Sequence, residues 1–176
     1  MPNSGALKKS AVAPISTLTP SPRHVGPRRL PMLLRRCWFN LNQTFRRRIA
    51  HTGVTPDQFT VMRTLVEGNP QGLTQRELTE IMSSDPNTIA SLLERMEALG
   101  FLERHPHERD RRAKRIRLKQ LGFEKYDSVR EIAAALQNEI LEVLPVGKQE
   151  EFLNHLTTVA DACLRASERS LERNPE

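Results

Sequence analysis

Asn87, Thr88, Ser91 and Arg95 fall on one side of any helix that carries Ile89, Leu92, Leu93 and Met96 on the other. Short amide and hydroxyl groups exchange hydrogen bonds with base edges, and the major groove of duplex DNA admits one α-helix. A start at Pro86 puts free N–H groups and the positive end of the helix dipole beside them, which suits phosphate. The same residues also suit the solvated face of an ordinary amphipathic helix. A second set lies downstream, where Arg109, Arg111, Arg112 and Lys114 sit in or beside a run too polar to pack, HPHERDRRAK. Arginines in such a loop reach phosphates or the narrow minor groove, where negative potential is strongest. Asp110 is the exception in the basic run, and it reads as a brace that orients a neighbouring arginine.

No catalytic pattern accompanies these sets. The sequence has no G-x-S-x-G, no H-E-x-x-H and no Walker loop. His24, His51, His105, His107 and His155 are scattered, and His105 and His107 flank Pro106 in the polar loop, where phosphate contact suits them better than a metal. Cys37 and Cys163 lie far apart with no second ligand at metal spacing. A binding protein without metal, cofactor, structural disulfide or enzymatic role is expected, in the reducing cytoplasm. No apolar run approaches the roughly 20 residues of a membrane span, so no membrane partner is expected.

The net charge of the 176 residues is +6, and it is laid down in blocks. Residues 1–29 and 30–50 carry five basic residues each and no acidic ones, and residues 101–119 hold eight basic against three acidic. Residues 51–100 are net −4 and residues 120–176 net −5. A chain that needed only solubility would intersperse its signs, whereas blocks of this kind suit a polyanion.

The elements that must position these groups are legible from apolar period and punctuation. Residues 1–29, rich in Pro, Ser and Thr, read as a disordered basic tail. Leu30, Leu33, Leu34, Cys37, Leu41, Phe45 and Ile49 predict a first helix with one buried stripe, ending at Gly53. Thr55-Pro56-Asp57-Gln58 opens a second, with Phe59, Met62, Leu65 and Val66 inward. Thr74-Gln75-Arg76-Glu77 is a capping box, stapled by Leu73 and Leu78, for a short third helix that turns Leu78, Ile81 and Met82 inward. Asp85-Pro86 begins a fourth, whose stripe runs to Leu99 and which Gly100 caps. The period then changes. Residues 101–105 and 114–118 read as strands of a hairpin around the polar loop, and helical spacing resumes after Gly122. Tyr126, Val129, Ile132, Leu136 and Ile140 mark one long helix, and Phe152, Leu156, Val159 and Cys163 mark a last one that frays near Glu168. A short helix joined by a tight turn to a second, followed by a basic hairpin, is a winged helix-turn-helix.

The motif Asp110-Arg111-Arg112, followed by Ile116, Leu118 and Gly122, resembles the wing pattern D-x-R-x-x-x-hydrophobic-x-L-T-x-x-G of the MarR (multiple antibiotic resistance regulator) family. Residues 92–104, LLERMEALGFLER, are similar to that family's recognition-helix end and first wing strand. Two positions depart. Lys119 stands where the family has Thr, which removes a side-chain cap from the following helix, and Ala90 replaces a polar residue of the reading helix.

The resemblance implies a mainly α fold: a winged helix-turn-helix with N- and C-terminal dimerisation helices and a small two- or three-stranded antiparallel wing sheet. It covers residues 30–170, with a DNA-binding lobe at about 54–120, dimerisation helices at about 30–50 and 121–170, and a frayed end at 171–176. It implies a homodimer on a pseudo-palindromic operator in double-stranded DNA, read by Pro86, Asn87, Thr88, Ser91 and Arg95 and gripped by the wing. It further implies a ligand-responsive repressor with a small aromatic or lipophilic effector, for which Trp38, Phe39, Phe45, His51 and Phe59 are candidate pocket residues. Plain core is the competing reading of those five. Some relatives sense oxidants through a cysteine in the first helix, a place Cys37 occupies next to Arg35 and Arg36, although its stripe position argues for a buried, inert thiol. The rival to a specific regulator is an architectural DNA-binding protein with little sequence preference and no effector.

Overall fold

The computed structural model describes residues 29–108 and 112–173. The chain divides into two compact units, residues 1–37 and 38–176. In the first, the described residues 29–37 are the opening turns of helix α1 (Arg29–Ile49), and every one of them is exposed. The tail expected over residues 1–29 lies outside the described residues except for Arg29, and so do residues 174–176.

In the second unit a 3-10 turn (Ala50–Thr52) follows α1 and closes on Gly53, whose φ of 73° is left-handed. Next come α2 (Pro56–Glu67), β1 (Leu73–Thr74), α3 (Gln75–Ile81), α4 (Pro86–Ala98), β2 (Leu102–Pro106), β3 (Lys114–Leu118), α5 (Gln120–Leu141) and α6 (Gln149–Arg173). Both capping boxes form. The Thr55 hydroxyl accepts the Gln58 N–H at 3.3 Å while Gln58 Oε1 accepts the Thr55 N–H at 2.9 Å. Thr74 and Glu77 do the same at 3.2 and 2.6 Å, and the Thr74 hydroxyl also donates to Glu77. Hydrogen bonds from the Thr74 backbone and side chain hold the Glu77 carboxyl below its ordinary value. This stabilisation is therefore complete above the unfolded pKa of about 4.3 and is lost as pH falls through the lower folded value.

Three strands form an antiparallel sheet in the order β1–β3–β2. Leu73 pairs with Ile116, and Leu102 and Arg104 pair with Leu118 and Ile116. The apolar residues of this sheet meet the inward stripes of α2, α3 and α4 in one core of thirteen buried side chains, with Met62, Leu78, Leu93 and Met96 fully enclosed. A second, smaller core joins Ile49, Val54, Phe59 and Val129, and Tyr126 packs against both.

Several expectations need correction. Val66, Ile81 and Leu99 are 39%, 58% and 50% exposed instead of buried. Each stands at the C-terminal end of its helix, where the stripe is only partly covered. Leu30, Leu33, Leu34, Cys37 and Leu41 are exposed too, so the α1 stripe is buried only at its C-terminal end, in Ile49 and partly in Phe45. Helix α5 starts at Gln120, ahead of Gly122, and α6 runs on to Arg173 instead of fraying near Glu168. The β1 strand has only two residues, too few to show a period in sequence. Lys119 caps α5 without any side-chain hydrogen bond.

Gly122 explains how α5 can start without a cap. A Cβ there would lie 2.1 Å from the Phe101 carbonyl oxygen, so the first turn of α5 rests backbone to backbone on the residue before β2. Gly122→Ala is expected to push α5 off this contact and to destabilise the fold by about 1–3 kcal/mol, the usual cost of overpacking. Urea denaturation should show a lower midpoint with an unchanged slope; an unchanged midpoint would refute the close approach.

Candidate nucleic-acid interface

The orientation of α4 is set from inside. Ile89, Leu92, Leu93 and Met96 are each no more than 5% exposed, and their burial turns Pro86, Asn87, Thr88, Ser91 and Arg95 outward. All five of these are exposed, and the last four line one flank over more than two helical turns. Ala90 is half-buried at the edge of the stripe, so it presents little to a partner.

The start of α4 differs in one respect from the sequence reading. Asp85 caps the helix: its Oδ1 accepts the Asn87 N–H at 3.0 Å and the Thr88 N–H at 2.9 Å. Hydrogen bonds from the side chain and backbone of Thr88 lead the effects that hold the Asp85 carboxyl below its ordinary value. Two of the N–H groups expected to be free for phosphate are therefore taken by a carboxylate. The amide of Asn87 and the hydroxyl of Ser91 remain exposed at this end of the helix.

The basic residues of the wing divide into two kinds. Arg115 is 14% exposed at its side chain, pairs with Glu108 at 3.0 Å and donates to the Gly72 carbonyl at 2.8 Å. Arg117 donates to the Gln71 carbonyl at 2.8 Å and to the Gln71 side chain at 2.6 Å. These two tie β3 to the turn before β1 and are structural. Gly72 permits the close fit: its φ is +90°, and a Cβ there would lie 2.5 Å from the Ile116 carbonyl oxygen. Arg104 lies 3.0 Å from Glu97, without the alignment of a hydrogen bond. Lys114 and Arg112 are exposed near the hairpin tip. Arg109, Arg111 and the brace residue Asp110 lie outside the described residues.

Between α3, the start of α4 and the wing strands lies a groove of about 840 Å³. Among the described residues Arg76, Arg104, His107, Arg112 and Lys114 line it against one carboxylate, Glu80, which Arg76 engages at 2.9 Å. The structure thus brings Pro86, Arg112 and Lys114 to one groove and places Asn87, Thr88, Ser91 and Arg95 on the adjoining helix. Arg104 and Arg76 were not singled out from sequence. The period-two pattern of residues 102–106 was the available signal for Arg104, since it pairs across β3 with Ile116.

The five candidate effector residues are not brought together. Phe45 and Phe59 meet edge to face at 5.4 Å, and Phe59 stacks on Tyr126 at 5.7 Å within the second core. His51 is exposed, and Trp38 and Phe39 are 63% and 60% exposed. Cys37 is exposed as well, contrary to its stripe position. Among the described residues no group of three or more His, Cys, Asp or Glu side chains is placed to hold a metal, and no helix is long and apolar enough to cross a membrane.

Comparison with known proteins bears out the resemblance. Residues 52–113 match the model of the MarR family, a stretch that takes in the helix-turn-helix and most of the hairpin. No curated protein matches the chain. Among solved structures, a complex of MepR from S. aureus with DNA superposes with a TM-score of 0.69 at 20% identity, covering 75% of this chain and 96% of that one. A mutant MarR from E. coli complexed with operator DNA gives 0.67 at 20% identity, over 74% and 93% of the two chains. CouR from Rhodococcus jostii bound to p-coumaroyl-CoA gives 0.67 at 23% identity, over 74% and 91%. At these identities the superpositions establish a shared winged-helix fold.

The division of the wing arginines is testable. Arg115→Ala is expected to cost about 1.5–3 kcal/mol of stability, as the loss of hydrogen bonds to a charged group does. It should leave the salt dependence of DNA binding unchanged under conditions where the variant stays folded. A chemical denaturation curve like that of the wild type, together with a weaker salt dependence, would make Arg115 a DNA contact instead.

Proposed function

We propose, from the MarR-family match of residues 52–113 and the winged-helix fold around them, that this chain is a cytoplasmic, dimeric transcriptional regulator that reads a pseudo-palindromic operator. One observation carries the reading: burial of the α4 stripe leaves Asn87, Thr88, Ser91 and Arg95 exposed on a single face, beside a wing groove rich in cations. In this reading Asn87, Thr88 and Ser91 contact base edges in the major groove, with Arg95 further along the helix. Arg112 and Lys114, with Arg109 and Arg111, contact backbone or minor groove, and Asp110 orients one of these arginines. DNA complexes among the structural relatives support it.

The dimer is supported by surface that a single chain leaves bare. Helix α6 contributes no buried residue among those described, and it exposes Phe152, Leu156 and Leu164. The effector half of the reading is supported by the acyl-CoA complex of one relative. It is supported also by a cavity of about 260 Å³ between α2 and α5, which Phe59, Tyr126, Arg63 and Arg130 help to line. We place repression, relieved by a small aromatic or lipophilic effector, within the same proposal.

Selection from a random duplex pool tests the specific regulator against the architectural rival. The expected product is a two-fold sequence with half-sites about 10–10.5 bp apart, bound at least about 10³-fold more tightly than scrambled DNA. On that duplex, Asn87→Ala should relax discrimination at one base pair by about 1–3 kcal/mol, whereas Arg112→Ala should weaken all sequences alike. A pool that never converges, with both variants losing equally on every sequence, would establish the architectural role. Sedimentation at micromolar concentration should show twice the 20.1 kDa chain mass, and a monomer alone would defeat the dimer.

A further inference from the structure

A second cationic groove lies away from the wing, where the far end of α4 meets α1 and α2. The last turn of α1, the start of α2 and the C-terminal half of α4 enclose about 560 Å³, and Arg46 and Arg95 contribute the two guanidiniums of its lining. Both are exposed, and neither has an ion-pair or hydrogen-bond partner among the described residues. Neighbouring cations differ: Arg48 is held by Glu139 at 2.7 Å and Arg63 by Glu67 at 2.7 Å. Asp57, in the first turn of α2, is the one carboxylate of the lining, and it is stabilised there by the helix dipole.

The position of the groove along α4 decides what it fits. Arg95 is eight residues beyond Asn87, hence about 12 Å further along the helix axis. The major groove is about 12 Å across from rim to rim and about 8.5 Å deep, so a step of that length from the base edges leaves the groove floor. A helix that sets Asn87 over base edges therefore carries Arg95 to the phosphate rim, and Arg46 comes to the same rim from a different helix. Two unpaired guanidiniums with planar donor forks fit a phosphodiester better than any neutral ligand.

We infer that Arg46 and Arg95 together hold a DNA backbone phosphate flanking the base-reading site, so that α1 touches DNA directly. The inference rests on the DNA-binding reading above and extends its footprint to a residue outside both the recognition helix and the wing. It also gives the arginine run at the end of α1 a division of labour. Arg48 fixes α1 to α5 through Glu139, and Arg46 serves the ligand.

The full-length chain and three variants test this, using the selected operator duplex and a scrambled duplex of equal length. The measurement is the slope of log affinity against log salt. Arg46→Gln should reduce the slope by about 0.9 per half-site, equally on both duplexes, since a phosphate contact carries no sequence information. Arg47→Gln removes the same charge from the same turn but not from the groove, and it should leave the slope at the wild-type value. Asp57→Asn should tighten both duplexes. Thermal midpoints equal to that of the wild type for Arg46→Gln and Arg47→Gln establish that both remain folded. A wild-type slope for Arg46→Gln, or an equal loss for Arg47→Gln, overturns the inference while the operator preference of the wild type stands. Absence of any DNA binding by the wild type would instead defeat the functional reading itself.

Discussion

The functional surface depends on a rotational lock. A helix of thirteen residues such as α4 has no intrinsic preference for which flank faces solvent, so the choice is made by the four side chains it buries. Ile89, Leu92, Leu93 and Met96 sit in one core with Leu78 of α3 and with Leu102 and Ile116 of the sheet. Turning α4 by one residue, about 100°, would expose part of that stripe. At about 25 cal/mol per Å² of apolar surface, the exposure would outweigh any single polar contact on the outer flank. Apolar burial thus fixes which flank faces outward, while Pro86 and Thr88 also serve the start of the helix.

The wing follows from the same core by a different route. A two-stranded hairpin alone is marginal in water, and β2 and β3 gain a third strand only because the cap of α3 is itself extended backbone. Thr74 serves both as the last residue of β1 and as the N-cap of α3. One threonine therefore joins the sheet to the helix-turn-helix. Arg115 and Arg117 reinforce the joint from β3 by reaching the carbonyls of Gly72 and Gln71. Basic residues alternate along β3 with Ile116 and Leu118, and the alternation sets these two apart from Lys114 at the open end of the strand.

Much of this was legible in the sequence because the signals were local. Capping boxes at Thr55 and Thr74, proline at the first position of α2 and α4, and glycine at position 100 state helix ends in the chemistry of three or four neighbouring residues. The stripes of α2 and α4 were legible because they pack along most of their length. What failed depends on distant partners. Ile81 and Leu99 continue the period but are left half exposed, since a repeat records a helix and not where its neighbour ends. Asp85 was recognised as the start of α4, but its carboxylate also occupies the amides that a phosphate would need. Arg115 and Arg112 look alike in sequence. In the fold Arg115 is drawn in by Glu108 and the Gly72 carbonyl, beside its pairing with Thr74, whereas Arg112 is exposed near the hairpin tip.

The charge blocks and the bare helices constrain each other. Residues 120–176 are net −5 and include both C-terminal helices, whereas the hairpin region 101–119 holds eight basic residues against three acidic. A polyanion approaching such a chain is repelled from one region and drawn to the other, so the encounter is oriented before any contact forms. The apolar residues left uncovered on α6, among them Phe152 and Leu164, are then unsuited to DNA by their company as well as by their chemistry. A surface of this kind is satisfied by another protein face. A second copy of the chain brings the same apolar surface, and a two-fold arrangement allows it to meet its own complement. In the proposed dimer the spacing of the two α4 helices would be set in part by α6, a helix that contributes no buried residue to the single chain among those described. In that dimer the cost of leaving α6 bare in one chain would become the means of fixing the distance between the two copies of α4.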